Sequence, residues 1–170
     1  MTTPTHHEHK SHAPESIGCM VITCSDTRTP ETDISGQLIQ TLLKEQGHHV
    51  VSYHVVKDEP GQILFRITLG TTNDAIRAVI VNGGTGISRR DSTFEAVDEI
   101  LEKRLSGFGE IFRLLTYQEI GSSAMMSRAT AGIMKGRILF SIPGSENAVR
   151  LAMQKLILPE LGHLVKELSK

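Results

Sequence analysis

The sequence predicts an α/β fold: a three-layer, mainly parallel sheet with helices on both faces. Two observations predict it. Apolar strand patterns alternate along the chain with helical patterns, as βαβ units require. The first strand pattern, Ile17 to Thr23, is apolar without clean alternation, as a strand buried on both faces is. The length of 170 residues fits one domain, and no internal repeat or linker divides it. A chain of this size buries roughly 70% of its unfolded surface.

Residues 1–16 read as a flexible polar tail, with Pro4 and Pro14 and the histidines His6, His7, His9 and His12. Residues 17–170 read as the single domain. After the first strand comes a polar loop, Cys24 to Pro30, at the end of the sheet where ligands sit in open α/β folds. Asp33 is placed to cap a helix to about Gln46, with Ile34, Leu38 and Leu42 recurring every four residues and Gly47 as its left-handed stop. Val50 to Val56 is the second strand. Asp58-Glu59-Pro60 opens a helix ending at Gly70, with Ile63, Leu64 and Ile67 as its stripe.

Ala75 to Val81 is the third strand, and it runs into Gly83-Gly84-Thr85-Gly86. Ser92 followed by Glu95 has the pattern of a capping box for a helix from Thr93 to about Leu105. Gly107-Phe108-Gly109 breaks that helix. Glu110 to Ile120 is helical, with Ile111, Leu114 and Leu115 apolar, and the state of Ala124 to Ile133 is open. Arg137 to Ile142 is a strand. A last helix starts at about Glu146 and is kinked or restarted at Pro159.

Composition excludes several classes. The net charge of −1 carries no footprint for nucleic acid, and the absence of tryptophan leaves little to stack on single strands. No segment approaches the roughly 20 apolar residues of a membrane span, and the first residues have no apolar signal run. Cys19 and Cys24 lie an odd number of residues apart, so a strand would point them to opposite faces. A disulfide is not expected, and a reduced, cytoplasmic compartment is.

The chemistry gathers at strand ends. Glycines let a backbone turn sharply and approach a ligand, and free amides beside a helix start suit an anion. The turn at Gly83 is neither a Walker A loop, since no Gly-Lys-Ser/Thr is present, nor a dinucleotide fingerprint, since Arg89 stands where the third glycine would be. Asp91 has the wrong sign for a bare phosphate. It is either an acid favourable to the helix dipole or a group that holds a metal. Asp58 is either an N-cap before Pro60 or a second carboxylate at the same site. Pro143-Gly144-Ser145 is another strand-to-helix turn, with Ser145 as a cap or as a donor. Arg128, in the polar run of Ser122, Ser123, Ser127 and Thr130, pairs with a carboxylate or with a phosphate.

Taken together, Gly83-Gly84-Thr85-Gly86 with Arg89-Arg90-Asp91 and Glu95, the run from Gly107 to Arg113, the segment Gly121 to Gly132 and Pro143-Gly144-Ser145 closely resemble the molybdenum cofactor biosynthesis protein B family (MoaB/MogA) over about Ile17 to Leu168. The resemblance implies the MogA-like, molybdopterin-binding fold and a homo-oligomer, trimer or hexamer. It implies adenylylation of molybdopterin with Mg²⁺ and ATP as co-substrate and no tightly bound cofactor. A molybdate-inserting enzyme would take the product. By the same resemblance Asp91 and Asp58 are catalytic and reach Mg²⁺ through ATP. Gly83, Gly84, Thr85, Gly86, Ser88, Ser122, Ser127, Pro143, Gly144 and Ser145 bind substrate. A subgroup with an altered motif after the glycines is thought not to be the main adenylyltransferase, and Arg89-Arg90-Asp91 keeps the active form. The alternative is a non-catalytic paralogue that binds or delivers molybdopterin.

Overall fold

The structure is a computed structural model and describes residues 16–170. The expected polar tail, apart from Ser16, lies outside the described residues. The strands are β1 (Gly18–Cys24), β2 (His49–Val56), β3 (Ala78–Asn82), β4 (Lys103–Arg104), β5 (Thr130–Met134) and β6 (Arg137–Ile142). The helices are α1 (Ile34–Glu45), α2 (Pro60–Thr72), α3 (Thr93–Glu99), α4 (Ser106–Ile120), α5 (Glu146–Ala152) and α6 (Leu158–Glu167). The strands form one sheet in the order β2-β1-β3-β6-β5-β4. The pairs β1–β2, β1–β3 and β3–β6 are parallel, whereas β5 runs antiparallel to both β6 and β4.

Side chains alternate across the sheet with period two. Cys19, Val21, Ile80 and Phe140 face one layer, where Ile39 and Leu43 of α1, Phe112 of α4, Val149 of α5 and Leu161 of α6 pack. Met20, Ile22, Cys24, Val79 and Leu139 face the other, against Ile63 and Ile67 of α2 and Val97. Burial of each such large side chain contributes roughly 1.5–3 kcal/mol. Cys19 and Cys24 are therefore in separate layers, both free, and burial pushes each thiol up to about 12.

Several expected boundaries move. The helix after the glycine turn ends at Glu99, not near Leu105. Glu102 N instead donates to Ile133 O and Leu105 N to Ala131 O, which makes β4 a sheet edge. Gly107 and Gly109 do not break a helix but open α4. A Cβ on Gly109 would stand 2.6 Å from Ala129 O, so the glycine permits a close approach of helix to backbone. Gly70 lies inside α2, pressed against Met20. In α1 the inward face is Ser35, Gly36, Ile39, Leu42 and Leu43, and Ile34 is exposed. In α4 Ile111 and Leu114 face outward, while Phe112 and Thr116 are buried. The open segment resolves into a 3₁₀ turn, Gly121–Met126, followed by β5. Pro159, with no N–H to donate, follows a widened π turn at Met153–Ile157 that joins α5 to α6.

Lys135 and Gly136 join β5 to β6 with φ of 47° and 69°, the signs of a type I′ hairpin. That turn is at the N-terminal edge of the parallel strands. The start of β5, where Thr130 pairs with Ser141, is accordingly brought to their C-terminal edge.

Candidate active site

A crevice of about 410 Å³ opens at that C-terminal edge. Four chain segments wall it: Cys24 to Arg28 after β1, the glycine turn and Asp91 after β3, Met126 and Ser127 before β5, and Pro143-Gly144 after β6. The parallel strands supply three of these segments, and the reversed strand β5 supplies the fourth.

Gly83 and Gly84 have φ of +100° and +59°, which a side chain rarely tolerates. Space is equally short. A Cβ on Gly83 would stand 2.2 Å from Cys24 O, and one on Gly84 would stand 2.1 Å from Asp58 Oδ2. Gly83 N donates to Ile142 O at 3.1 Å, so the turn stays fastened to the sheet.

The expected capping box does not form. Ser92 has a helical backbone and makes no cap bond. Its Oγ donates instead to Asp58 Oδ1 at 3.0 Å, and its N–H donates to the same oxygen at 3.3 Å. Thr93 Oγ1 adds a third donor at 3.0 Å. Asp58 is thus neither an N-cap of α2, which has Glu59 in that place without a side-chain bond, nor a wall of the crevice. It sits buried behind Gly84 and anchors the segment that carries Asp91.

Asp91 is on the wall. Its Oδ2 accepts from Ser88 N at 3.0 Å and from Ser88 Oγ at 2.5 Å. Its Oδ1 takes no hydrogen bond among the described residues. Ser88 is therefore a support of Asp91, itself exposed. Glu95 turns to Arg128, whose hydrogen bond holds the carboxyl below its ordinary range. Arg90 pairs with Asp26 at 2.6 Å, and that hydrogen bond lowers the Asp26 carboxyl likewise. Arg89 is exposed. Of the other expected residues, Ser127, Pro143 and Gly144 line the crevice. Ser145 caps α5, accepting from Ala148 N at 3.3 Å. Ser122 lies elsewhere, in an apolar hollow beside Leu114, Tyr117 and Met125.

Sequence reasoning missed three residues. Arg28 Nη1 donates to Ser35 Oγ and to Asp33 Oδ1 at 3.3 Å, and both terminal nitrogens donate to Gly144 O at 3.3 Å. It ties the loop after β1 to the turn after β6. Asn82, fully buried, donates to Thr23 Oγ1 at 2.8 Å and accepts from Ser35 Oγ at 3.0 Å. Tyr53 Oη donates to Asp33 Oδ2 at 2.6 Å. The available signal was a lone amide ending an apolar strand and a lone arginine in a strand-end loop.

The comparisons with known proteins agree with the fold. The family described as "Probable molybdopterin binding domain" matches residues 20–163. Molybdenum cofactor biosynthesis protein B of Bacillus cereus is 53% identical over 164 residues, covering 96% of this chain and 97% of that protein. A crystal structure of molybdenum cofactor biosynthesis protein B, also 53% identical, superposes with a TM-score of 0.90 over 93% of this chain and 99% of that one. The tungsten cofactor synthesizing protein MoaB from Pyrococcus furiosus is 36% identical, with a TM-score of 0.84 over 93% of this chain and 100% of its own. With the mostly parallel sheet and the crevice at its C-terminal edge, these likenesses establish that the chain belongs to the molybdenum cofactor biosynthesis protein B (MoaB/MogA) family of molybdopterin-binding domains.

Proposed function

We propose that this family member acts in molybdenum cofactor biosynthesis by adenylylating molybdopterin from Mg²⁺-ATP. The observation that carries the reading is the shared wall: Thr85 and Gly86, whose amides donate to nothing among the described residues, line one crevice with Asp91 and with the Pro143-Gly144 turn. Gly83, Gly84, Thr85 and Gly86 would hold the phosphate end of the pterin. A terminal phosphate oxygen of molybdopterin attacks the α-phosphorus of ATP, the bond to the β-phosphate oxygen breaks, and pyrophosphate leaves with adenylyl-molybdopterin as product. A phosphate monoester is already anionic near neutral pH, so no strong base is needed. The chain's task is to bring two polyanions together and in line.

The donor set fits a metal that arrives with the nucleotide. Among the described residues no group of three or more His, Cys, Asp or Glu converges, whereas Asp91, with one carboxylate oxygen that takes no hydrogen bond among them, lines the crevice. Mg²⁺ is commonly held by one or two carboxylates together with substrate phosphates. When bound, it offsets the charge of the facing phosphates. Asp91 would meet it, and Asp58 would act by fixing Ser92 and Thr93.

The test is to incubate the protein with molybdopterin and Mg²⁺-ATP and to measure adenylyl-molybdopterin and pyrophosphate. Tight pterin binding without product would instead assign the protein to binding or delivery. Asp91→Asn is expected to lower kcat by at least about 100-fold, the scale of losing a transition-state contact, while pterin affinity is nearly kept. Turnover near the wild-type rate would remove Asp91 from the mechanism.

A further inference from the structure

Three consecutive carbonyls of the glycine turn are tied down. Gly84 O accepts from Thr93 N at 3.0 Å. Thr85 O accepts from Arg128 Nε at 2.9 Å, and Gly86 O accepts from Arg128 Nη2. In a planar trans peptide the C=O and the following N–H point in opposite directions. Every peptide bond described here is trans. The amides of Thr85, Gly86 and Ile87 are therefore turned away from Thr93 N and Arg128. They donate to nothing among the described residues. Thr85 and Gly86 line the crevice, and Arg128 does not. Successive amides left free along a turn make a concavity for an anion.

Arg128 is itself held. Its Nη1 and Nη2 donate to the two carboxylate oxygens of Glu95, and its guanidinium lies 4.8 Å from the centre of the Phe94 ring. Its planar fork thus spans two carbonyls and a carboxylate at once, which a lysine ammonium on a flexible stem does not match. Its Nε and both Nη2 hydrogens, and one Nη1 hydrogen, are directed to protein acceptors, and the residue does not line the crevice.

We infer that Arg128 is a positioning residue: it holds the Thr85 and Gly86 carbonyls so that the turn's amides meet a substrate phosphate that Arg128 never touches. The inference rests on the phosphate-binding reading of the crevice given above, and the experiment separates the two. Arg128→Ala and Arg128→Lys are compared with the wild type by molybdopterin binding, by Mg²⁺-ATP turnover, and by the backbone amide resonances of Thr85, Gly86 and Ile87 without ligand.

Both variants are expected to move or broaden those three resonances while the β3 amides keep their protection. Both are expected to bind molybdopterin at least about tenfold more weakly, since small misplacements at a site cost that much or more. Recovery of wild-type affinity in Arg128→Lys would show that charge alone matters and would overturn the inference. So would unchanged resonances in both variants, whatever the turnover. A wild-type protein that binds no molybdopterin, with resonances that still move in the variants, would leave the clamp standing and sink the phosphate reading instead.

Discussion

At the scale of single residues the turn after β3 is decided by what a methyl group would strike. Gly84 combines a φ of +59° with Asp58 Oδ2 at 2.1 Å and Thr93 Oγ1 at 2.2 Å from a notional Cβ. Gly84→Ala is expected to destabilise the fold by roughly 2–4 kcal/mol, the range for backbone strain combined with overpacking. Denaturant unfolding at constant m-value checks this, and an unchanged midpoint would contradict it. The adjacent glycines were legible in the sequence because few other residues so plainly signal a sharp turn at a strand end. The role of Ser92 was not legible. A local rule paired it with Glu95, but the fold brings Asp58, 34 positions earlier, close enough to take its hydroxyl and its amide. Arg128 went unresolved for the same reason, since its carbonyl partners lie 42 and 43 positions away.

At the scale of elements, helix starts were well read where the cap is local. Asp33 caps α1 by accepting from Gly36 N at 3.0 Å, and Ser145 caps α5. Helix lengths were read less well, because Gly109 and Gly70 serve close packing rather than termination, and Gly107 lies in open space in the first turn of α4. The start of α1 also carries a pH dependence. Burial, followed by the hydrogen bond to Asp33, raises the Tyr53 phenol above its ordinary 10.0. Burial alone would raise the Asp33 carboxyl too, but donors from Thr23, Tyr53, Gly36 and Ser35 hold it below its ordinary 3.8. For Tyr53, a folded value above the unfolded one means full stabilisation below pH 10 and loss as pH climbs beyond it. For Asp33, a lowered value means stabilisation above its ordinary value and loss as pH falls past the folded one. Tyr53→Phe should cost roughly 1–3 kcal/mol at neutral pH, the range for a bond to a charged acceptor or for leaving that acceptor short. It should also flatten the loss above pH 10. Thermal unfolding across pH measures both, and a variant whose alkaline limb matches the wild type would refute the assignment.

At the scale of the whole molecule, one surface is out of keeping with a lone chain. Ile111, Leu114, Tyr117 and Ile120 of α4 are each about half exposed, and Met125 and Met126 continue the ridge. The apolar pattern of α4 was visible in the sequence. Its direction was not, since periodicity cannot say which of two apolar stripes meets the sheet and which is left exposed. We propose that this ridge forms the homo-oligomer implied by the family resemblance, trimer or hexamer. Leu114→Asp combined with Tyr117→Asp should lower the sedimenting mass below that of the wild type without unfolding the chain. A wild type that sediments as a monomer at every concentration would overturn the proposal. Met126 belongs to both the ridge and the crevice wall, so association would come up against the site.

The hairpin at Lys135 and Gly136 has a practical consequence. It reverses the chain at the edge of the sheet opposite the crevice, on a two-residue loop beside exposed ground. The molecule therefore has a working edge and an idle one. A fluorophore, an affinity handle or a relocated pair of chain ends placed at the idle edge would travel with the sheet while leaving the glycine turn, Asp91 and Arg128 undisturbed.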